Sequence, residues 1–189
     1  MRILGISGSL RDASYNTGLL RAAAELVEED VELLLFDGLK PVPPYDEDDD
    51  GGAGPAAVRR LRAAVADADA VLFATPEYNS SVPGQLKNAL DWVSRPLATN
   101  PLRNKPVAVV GASTGMFGAV WAQAELRKVA AAIGARVLDA ELLVARAPTR
   151  FDERGRLVDD AVRTGLAEIV GSLAAAARER AGAMEQAAA

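Results

Sequence analysis

Short apolar runs alternate along the chain with longer stretches in which apolar residues recur every three or four positions. The runs Ile3–Ile6, Val31–Phe36, Ala70–Ala74, Val107–Gly111 and Val137–Val144 are mostly continuous rather than alternating. That is how strands read when helices cover both faces of a sheet. Between them, Leu19, Leu20, Ala23, Leu26 and Val27 follow helical spacing, as do Val58, Leu61, Val65 and Ala68. Asn16 and Pro55 suit the starts of these two helices. A third helix is expected from near Pro83 and a fourth after Gly118. A fifth carries Val158, Val162, Leu166, Ile169, Val170, Leu173 and Ala177. Five strands alternating with five helices through right-handed crossovers predict an α/β fold, a parallel sheet in the order 2-1-3-4-5 with helices on both faces. Residues 1–180 are expected to form a single domain with one long surface loop, Pro41–Gly54. Residues 181–189 read as a disordered, low-complexity tail.

Composition narrows the chemistry. The 189 residues contain no cysteine and no histidine. Disulfides, thiolate metal sites, cysteine nucleophiles, His-ligated zinc and a Ser-His-Asp triad are therefore excluded. Catalysis must come from carboxylates, hydroxyls, Lys, Arg or a cofactor. The net charge of −5 matches the five acids of the run Asp46–Asp50, so the rest of the chain balances and offers nucleic acid no basic footprint. No stretch approaches the ~18 apolar residues of a membrane span, and the N-terminus enters a strand at once. A cytoplasmic protein without membrane or nucleic-acid partners is expected.

Two motifs mislead. Gly111, Ser113 and Gly115 spell G-x-S-x-G between a strand and a helix, as in a hydrolase nucleophile elbow, but the histidine such a serine needs is missing. Asp46, Asp48, Asp50 and Gly51 have EF-hand spacing, yet the twelfth position, which requires a bidentate Glu, is Ala57. A solvated loop without a metal fits better.

Three polar loops remain. The first strand leads into Ser7–Asn16, where small residues, hydroxyls, Arg11 and a helix N-terminus could cradle a phosphate. The same stretch reads equally as a polar turn with Asn16 as an ordinary cap. Thr75–Gly84 follows the third strand, so in the order 2-1-3-4-5 it shares the switch-point crevice with the first loop. It could line a flat heterocycle, or serve only as a tight connection. Ser113–Gly118 is either a close approach to a ring or a flexible loop.

Taken together these stretches resemble the NADPH-dependent FMN reductase family, whose members include quinone, chromate and azo-dye reductases. The similarity rests on Gly8-Ser9-Leu10-Arg11 with Ser14 and Asn16. It continues through Pro76-Glu77-Tyr78-Asn79 and Ser81-Val82-Pro83-Gly84 to Leu86-Lys87-Asn88-Ala89-Leu90-Asp91-Trp92. Ser94-Arg95-Pro96, Ala122-Gln123 and Leu126-Arg127 extend it, so that it covers roughly Ile3 to Leu143. The resemblance implies a flavodoxin-like three-layer sandwich around a five-stranded sheet. It also implies FMN as cofactor, with Ser9, Arg11, Ser14 and Asn16 on its phosphate, Pro76, Glu77, Tyr78 and Asn79 along the isoalloxazine, and Ser113 contributing from the third loop. Ala119 departs from the pattern, since relatives often carry a second glycine there.

The expected activity is two-electron transfer from NADPH, or NADH, through FMN to a quinone or similar acceptor, with ping-pong kinetics and no catalytic side chain. A flavodoxin-like electron carrier and a non-catalytic flavin-binding regulatory module are the alternatives. Trp92 and Trp121, on the third and fourth helices, are candidates for a homodimer or homotetramer interface or else for the core.

Overall fold

The apolar runs become the strands of a central parallel sheet in the computed structural model, which describes residues 1–51 and 54–188. Gly52 and Ala53 of the expected surface loop, and Ala189 of the expected tail, lie outside the described residues. The elements run β1 (Arg2–Ser7), α1 (Tyr15–Leu26), β2 (Glu32–Phe36), α2 (Ala56–Asp67), β3 (Ala70–Thr75), α3 (Gly84–Val93) and β4 (Pro106–Ala112). They continue with α4 (Val120–Ile133), β5 (Arg136–Val137), β6 (Leu143–Val144) and α5 (Asp160–Ala188). Every pairing between these strands is parallel and the order is β2-β1-β3-β4-β5, with β6 also paired to β4. This is the flavodoxin-like arrangement.

Why the strands read as unbroken apolar runs is visible in β3. Ala70, Leu72 and Ala74 pack with Leu19, Leu20, Leu166 and Leu173 of α1 and α5. Val71 and Phe73 point the other way, into Val58, Leu61, Leu86, Leu90 and Leu126 of α2, α3 and α4. Side chains alternate faces along a strand, and here both faces are covered.

One strand differs from expectation. The run Val137–Val144 is two short strands, because Val137 pairs with Val107 and Leu143 with Gly111. The outer chain therefore has two more residues than β4 to fit between those pairings, so the intervening segment leaves the ladder. It contains the acids Asp139 and Glu141, which suit an edge that must stay unpaired, and Glu141 is ion-paired with Arg127. The fifth helix also runs past the expected end, through Ala188. Its last residues are alanine-rich, and alanine is the best helix former.

Trp92 belongs to the core and is fully buried. Its Nε1 donates to the Pro43 carbonyl at 2.9 Å, and its ring meets Tyr45 edge-on at 4.9 Å. Asn88, one turn earlier, donates to the same carbonyl and accepts from Tyr45 N, while Gln85 donates to the carbonyls of Leu39 and Val42. Residues 85, 88 and 92 share one helix face, so α3 fastens residues 39–45 of the loop after β2. Asp50 at the end of the acidic run pairs with Arg62 at 2.6 Å. No group of three or more potential metal ligands occurs among the described residues. No helix among them is long and apolar enough to cross a membrane.

Candidate functional site

The carboxyl ends of β1, β3 and β4 bring the three polar loops to one edge of the sheet, where the strand order reverses. Gly8 closes the gap between the first two. Its N–H donates to Ala74 O at 2.8 Å, and a Cβ there would lie 2.9 Å from Leu86 Cδ2 and 3.3 Å from Pro76 Cδ. Ser7 Oγ accepts from Thr17 Oγ1 and from Ser9 N, which curls the loop back onto the helix it feeds.

Ser14 caps α1. Its Oγ accepts from Thr17 N at 3.2 Å, in the geometry an N-cap requires. Asn16, expected at the cap, lies inside the first turn. Buried at 3% exposure, it donates Nδ2 to Ala112 O at 3.0 Å and accepts from Ala112 N at 2.9 Å. Asn16 thus ties the first loop to the end of β4 and keeps one amide hydrogen for another acceptor. First-turn amides of a helix have no intrahelical acceptor, so Tyr15 N and Asn16 N add donor capacity to this corner. Arg11 lies over the Tyr15 ring at 5.5 Å, and Tyr15 in turn packs on Phe151.

The second loop is a two-residue hairpin. Tyr78 and Ser81 exchange both backbone hydrogen bonds at 3.1 Å, and the residues between them, Asn79 and Ser80, have φ of 52° and 59°. Two successive left-handed residues define a type I′ turn, where Asn is a favoured residue. Asn79 therefore sits at an exposed tip. It is the one expected site residue that does not line the cleft. Ser9, Arg11, Ser14, Asn16, Pro76, Glu77, Tyr78 and Ser113 all do, around about 290 Å³.

Two carboxylates not foreseen in these roles lock this loop to α4. Ala119, the residue before α4, has φ of 62° and no side chain able to cap. Glu77 Oε2 reaches across to accept from Trp121 N at 3.0 Å and Ala122 N at 3.2 Å. In the opposite direction Glu125 Oε2 accepts from Ser81 Oγ at 2.6 Å and Val82 N at 3.2 Å. The Ser81 and Val82 donors hold the Glu125 carboxyl below the usual range. The third loop is set from the other side. Ser113 N donates to Val144 O, and Ser113 O accepts from Ala147 N. At Gly118 (φ 58°) a Cβ would lie 2.5 Å from the Leu143 carbonyl carbon. Only glycine permits that approach.

The chemistry of the cleft is that of an anion site joined to a ring site. One end gathers hydroxyls, first-turn amides and a guanidinium that forms no ion pair among the described residues. The other has a buried proline, a half-exposed tyrosine and backbone from two loops. These donors suit a phosphate, and the flat walls suit a heterocycle.

A flavodoxin-like sandwich with a polar loop and helix N-terminus at its switch point has the form of nucleotide- and flavin-binding proteins. Comparison at the level of families matches residues 1–149 to NADPH-dependent FMN reductase. An NAD(P)H-dependent FMN reductase of Pseudomonas aeruginosa is 44% identical over 164 residues, covering 86% of this chain and 88% of that protein. A 2-hydroxy-1,4-benzoquinone reductase of a Burkholderia species is 36% identical, covering 95% and 98%. Among solved structures, the flavoenzyme NAD(P)H:(acceptor) oxidoreductase of Paracoccus denitrificans superposes with a TM-score of 0.85. It is 32% identical and covers 95% of this chain and 98% of that one. The chain belongs to the NADPH-dependent FMN reductase family.

Proposed function

We propose that the protein is an FMN-dependent NAD(P)H oxidoreductase that passes two electrons to quinones or similar acceptors. The observation that carries this is the convergence of eight expected site residues on one switch-point cleft. Relatives named as FMN and quinone reductases support it. Bound FMN supplies the hydride chemistry. Ser9, Arg11, Ser14 and Asn16 hold its phosphate, with Arg11 providing the positive charge. Pro76, Glu77 and Tyr78 wall the ring, and Ser113 faces them from the third loop. The type I′ geometry gives Asn79 the task of shaping that wall. Glu77 has its carboxylate committed to α4, so its service to the ring is to place backbone.

One cleft serves donor and acceptor in turn, and the expected kinetics are ping-pong. The chain is proposed to act in the cytoplasm, where reduced nicotinamide is supplied. We assign the homodimer or homotetramer contact to the exposed Tyr78, Met116, Phe117 and Trp121 beside the cleft, with Phe117 and Trp121 packed edge-on at 5.0 Å. Contiguous exposed apolar surface of this kind marks interfaces. The test is steady-state oxidation of NADPH by the flavin-loaded protein, with and without a quinone. Parallel initial-rate lines are expected. Intersecting lines refute the shared cleft, and absence of turnover leaves an electron carrier or a regulatory module.

A further inference from the structure

Beside the flavin cleft lies a second recess of about 490 Å³, between the phosphate loop, α1 and the chain leaving β2. It shares Ser9 and Arg11 with the first cleft, so the two meet at the phosphate loop. Its walls are of two kinds. Leu10, Leu35, Phe36 and Leu39 give an apolar surface, and Arg21 and Lys40 bring two cations to the rim. Neither of those two side chains makes an ion pair or hydrogen bond with any described residue, whereas most arginines of this protein do. Cations left unpaired at an apolar recess suit an anionic ligand, and two of them suit a phosphate monoester, which is nearly dianionic at neutral pH.

Two carboxylates bear on the choice of ligand. Asp37, the first residue after β2, stands where a carboxylate could accept the hydroxyls of an unphosphorylated ribose. It is taken up in an ion pair with Arg60, whose guanidinium lies 5.5 Å from the Phe36 ring centre. Asp12 also lines the recess and lowers its net positive charge without cancelling Arg11, Arg21 and Lys40 together. The larger neighbouring recess, between the phosphate loop and residues 148–155, also has Arg11, Arg21 and Arg154 in its lining, but Asp12, Asp152 and Glu153 offset them, so it carries less net positive charge for a phosphate. The two recesses meet at Ser9 and Arg11, as a dinucleotide lying across both would require.

We propose that this recess takes the 2′-phosphoadenosine half of NADPH, and that Arg21 and Lys40 are the residues that select NADPH over NADH. The inference rests on the reductase reading and names the residues that would set its donor preference. Arg11 belongs to the flavin phosphate in that reading, so discrimination falls to the other two cations.

The test uses the flavin-loaded protein and the double variant Arg21→Gln/Lys40→Gln. Both side chains are exposed and unpaired, and an unchanged thermal unfolding curve establishes that the variant is folded. Wild-type protein is expected to favour NADPH over NADH in kcat/KM by about tenfold or more. The double variant should lose that margin through the KM for NADPH, with kcat and the NADH constants nearly unchanged. Calorimetric binding of adenosine 2′,5′-bisphosphate provides a readout independent of turnover. It should bind more tightly than AMP to the wild type and lose that advantage in the variant. Equal losses for NADPH and NADH, or a bisphosphate that binds no better than AMP, overturn the proposal while the reductase reading stands. Bisphosphate binding that depends on Arg21 and Lys40 in a protein that oxidises neither dinucleotide keeps the recess and removes the reductase.

Discussion

Replacing Asn16 with alanine separates two roles that the same residue could play. As a phosphate ligand alone, its loss would be felt only when flavin is bound. The geometry adds a role in the empty protein, since Asn16 satisfies both the N–H and the C=O of Ala112 at a position with 2% exposure. Removing it leaves two buried backbone groups without these partners, each costing about 1–3 kcal/mol less whatever water recovers. A net loss of about 2–4 kcal/mol follows, or roughly 5–15 °C in Tm for a chain of this size. The assay is urea unfolding of flavin-free wild type and variant, followed by circular dichroism. Asn16→Asp is the sharper companion. It keeps an acceptor for Ala112 N but sets a second oxygen against Ala112 O, and it adds a negative charge beside the phosphate loop. It should therefore lose stability and flavin affinity together. A flavin-free Asn16→Ala protein within about 0.5 kcal/mol of wild type would refute the structural role, because surface substitutions alone produce changes that small.

Arg11→Ala should weaken FMN binding by about 1.5–3 kcal/mol, the worth of a hydrogen bond to a charged group, seen as roughly a tenfold or greater rise in Kd by fluorescence titration; an unchanged Kd removes Arg11 from the phosphate. Glu125 has its carboxyl held below the usual range by Ser81 and Val82, so its contribution is full above the ordinary carboxylate pKa and lost as pH falls through the depressed value. Wild-type stability should accordingly drop more steeply below about pH 4.5 than that of Glu125→Gln, and identical urea midpoints across that range would contradict it. Trp92→Phe should cost about 1–2 kcal/mol through the lost bond to Pro43 and the smaller ring, without changing assembly. Trp121→Ser should instead shift light scattering toward the monomer, and an unaltered oligomer distribution would move the interface elsewhere.

The parts legible in the sequence were those with local signatures. Continuous apolar strands, helical spacing on α1, α2 and α5, and the small-residue loop with Arg11 are each patterns within one element, and the structure has them nearly where expected. What escaped was pairing at a distance. Asn16 meets Ala112 across 96 positions and Glu77 meets Trp121 across 44, and no local period encodes either contact. The break in the last strand escaped for another reason. Val137–Val144 has enough apolar residues for one strand, and only the count of residues against β4 shows that the middle cannot stay in register. Asn88 and Trp92 belong to the motif Leu86–Trp92, but their attachment to Pro43 depends on a loop whose course the sequence does not specify.

The crossed carboxylates give the molecule a thermodynamic property beyond holding a loop in place. Glu77 and Glu125 tie residues 76–82 to the first turns of α4. One side of the joined segments walls the cleft and another carries Trp121. Under the interface proposed at Trp121, occupancy of the cleft and association of subunits would bias the same element, and their free energies would be linked. Linkage of this kind is reciprocal. Whatever factor that assembly would add to cofactor retention, the cofactor would return to assembly, so on this proposal dilution should weaken flavin binding and stripping the flavin should weaken association.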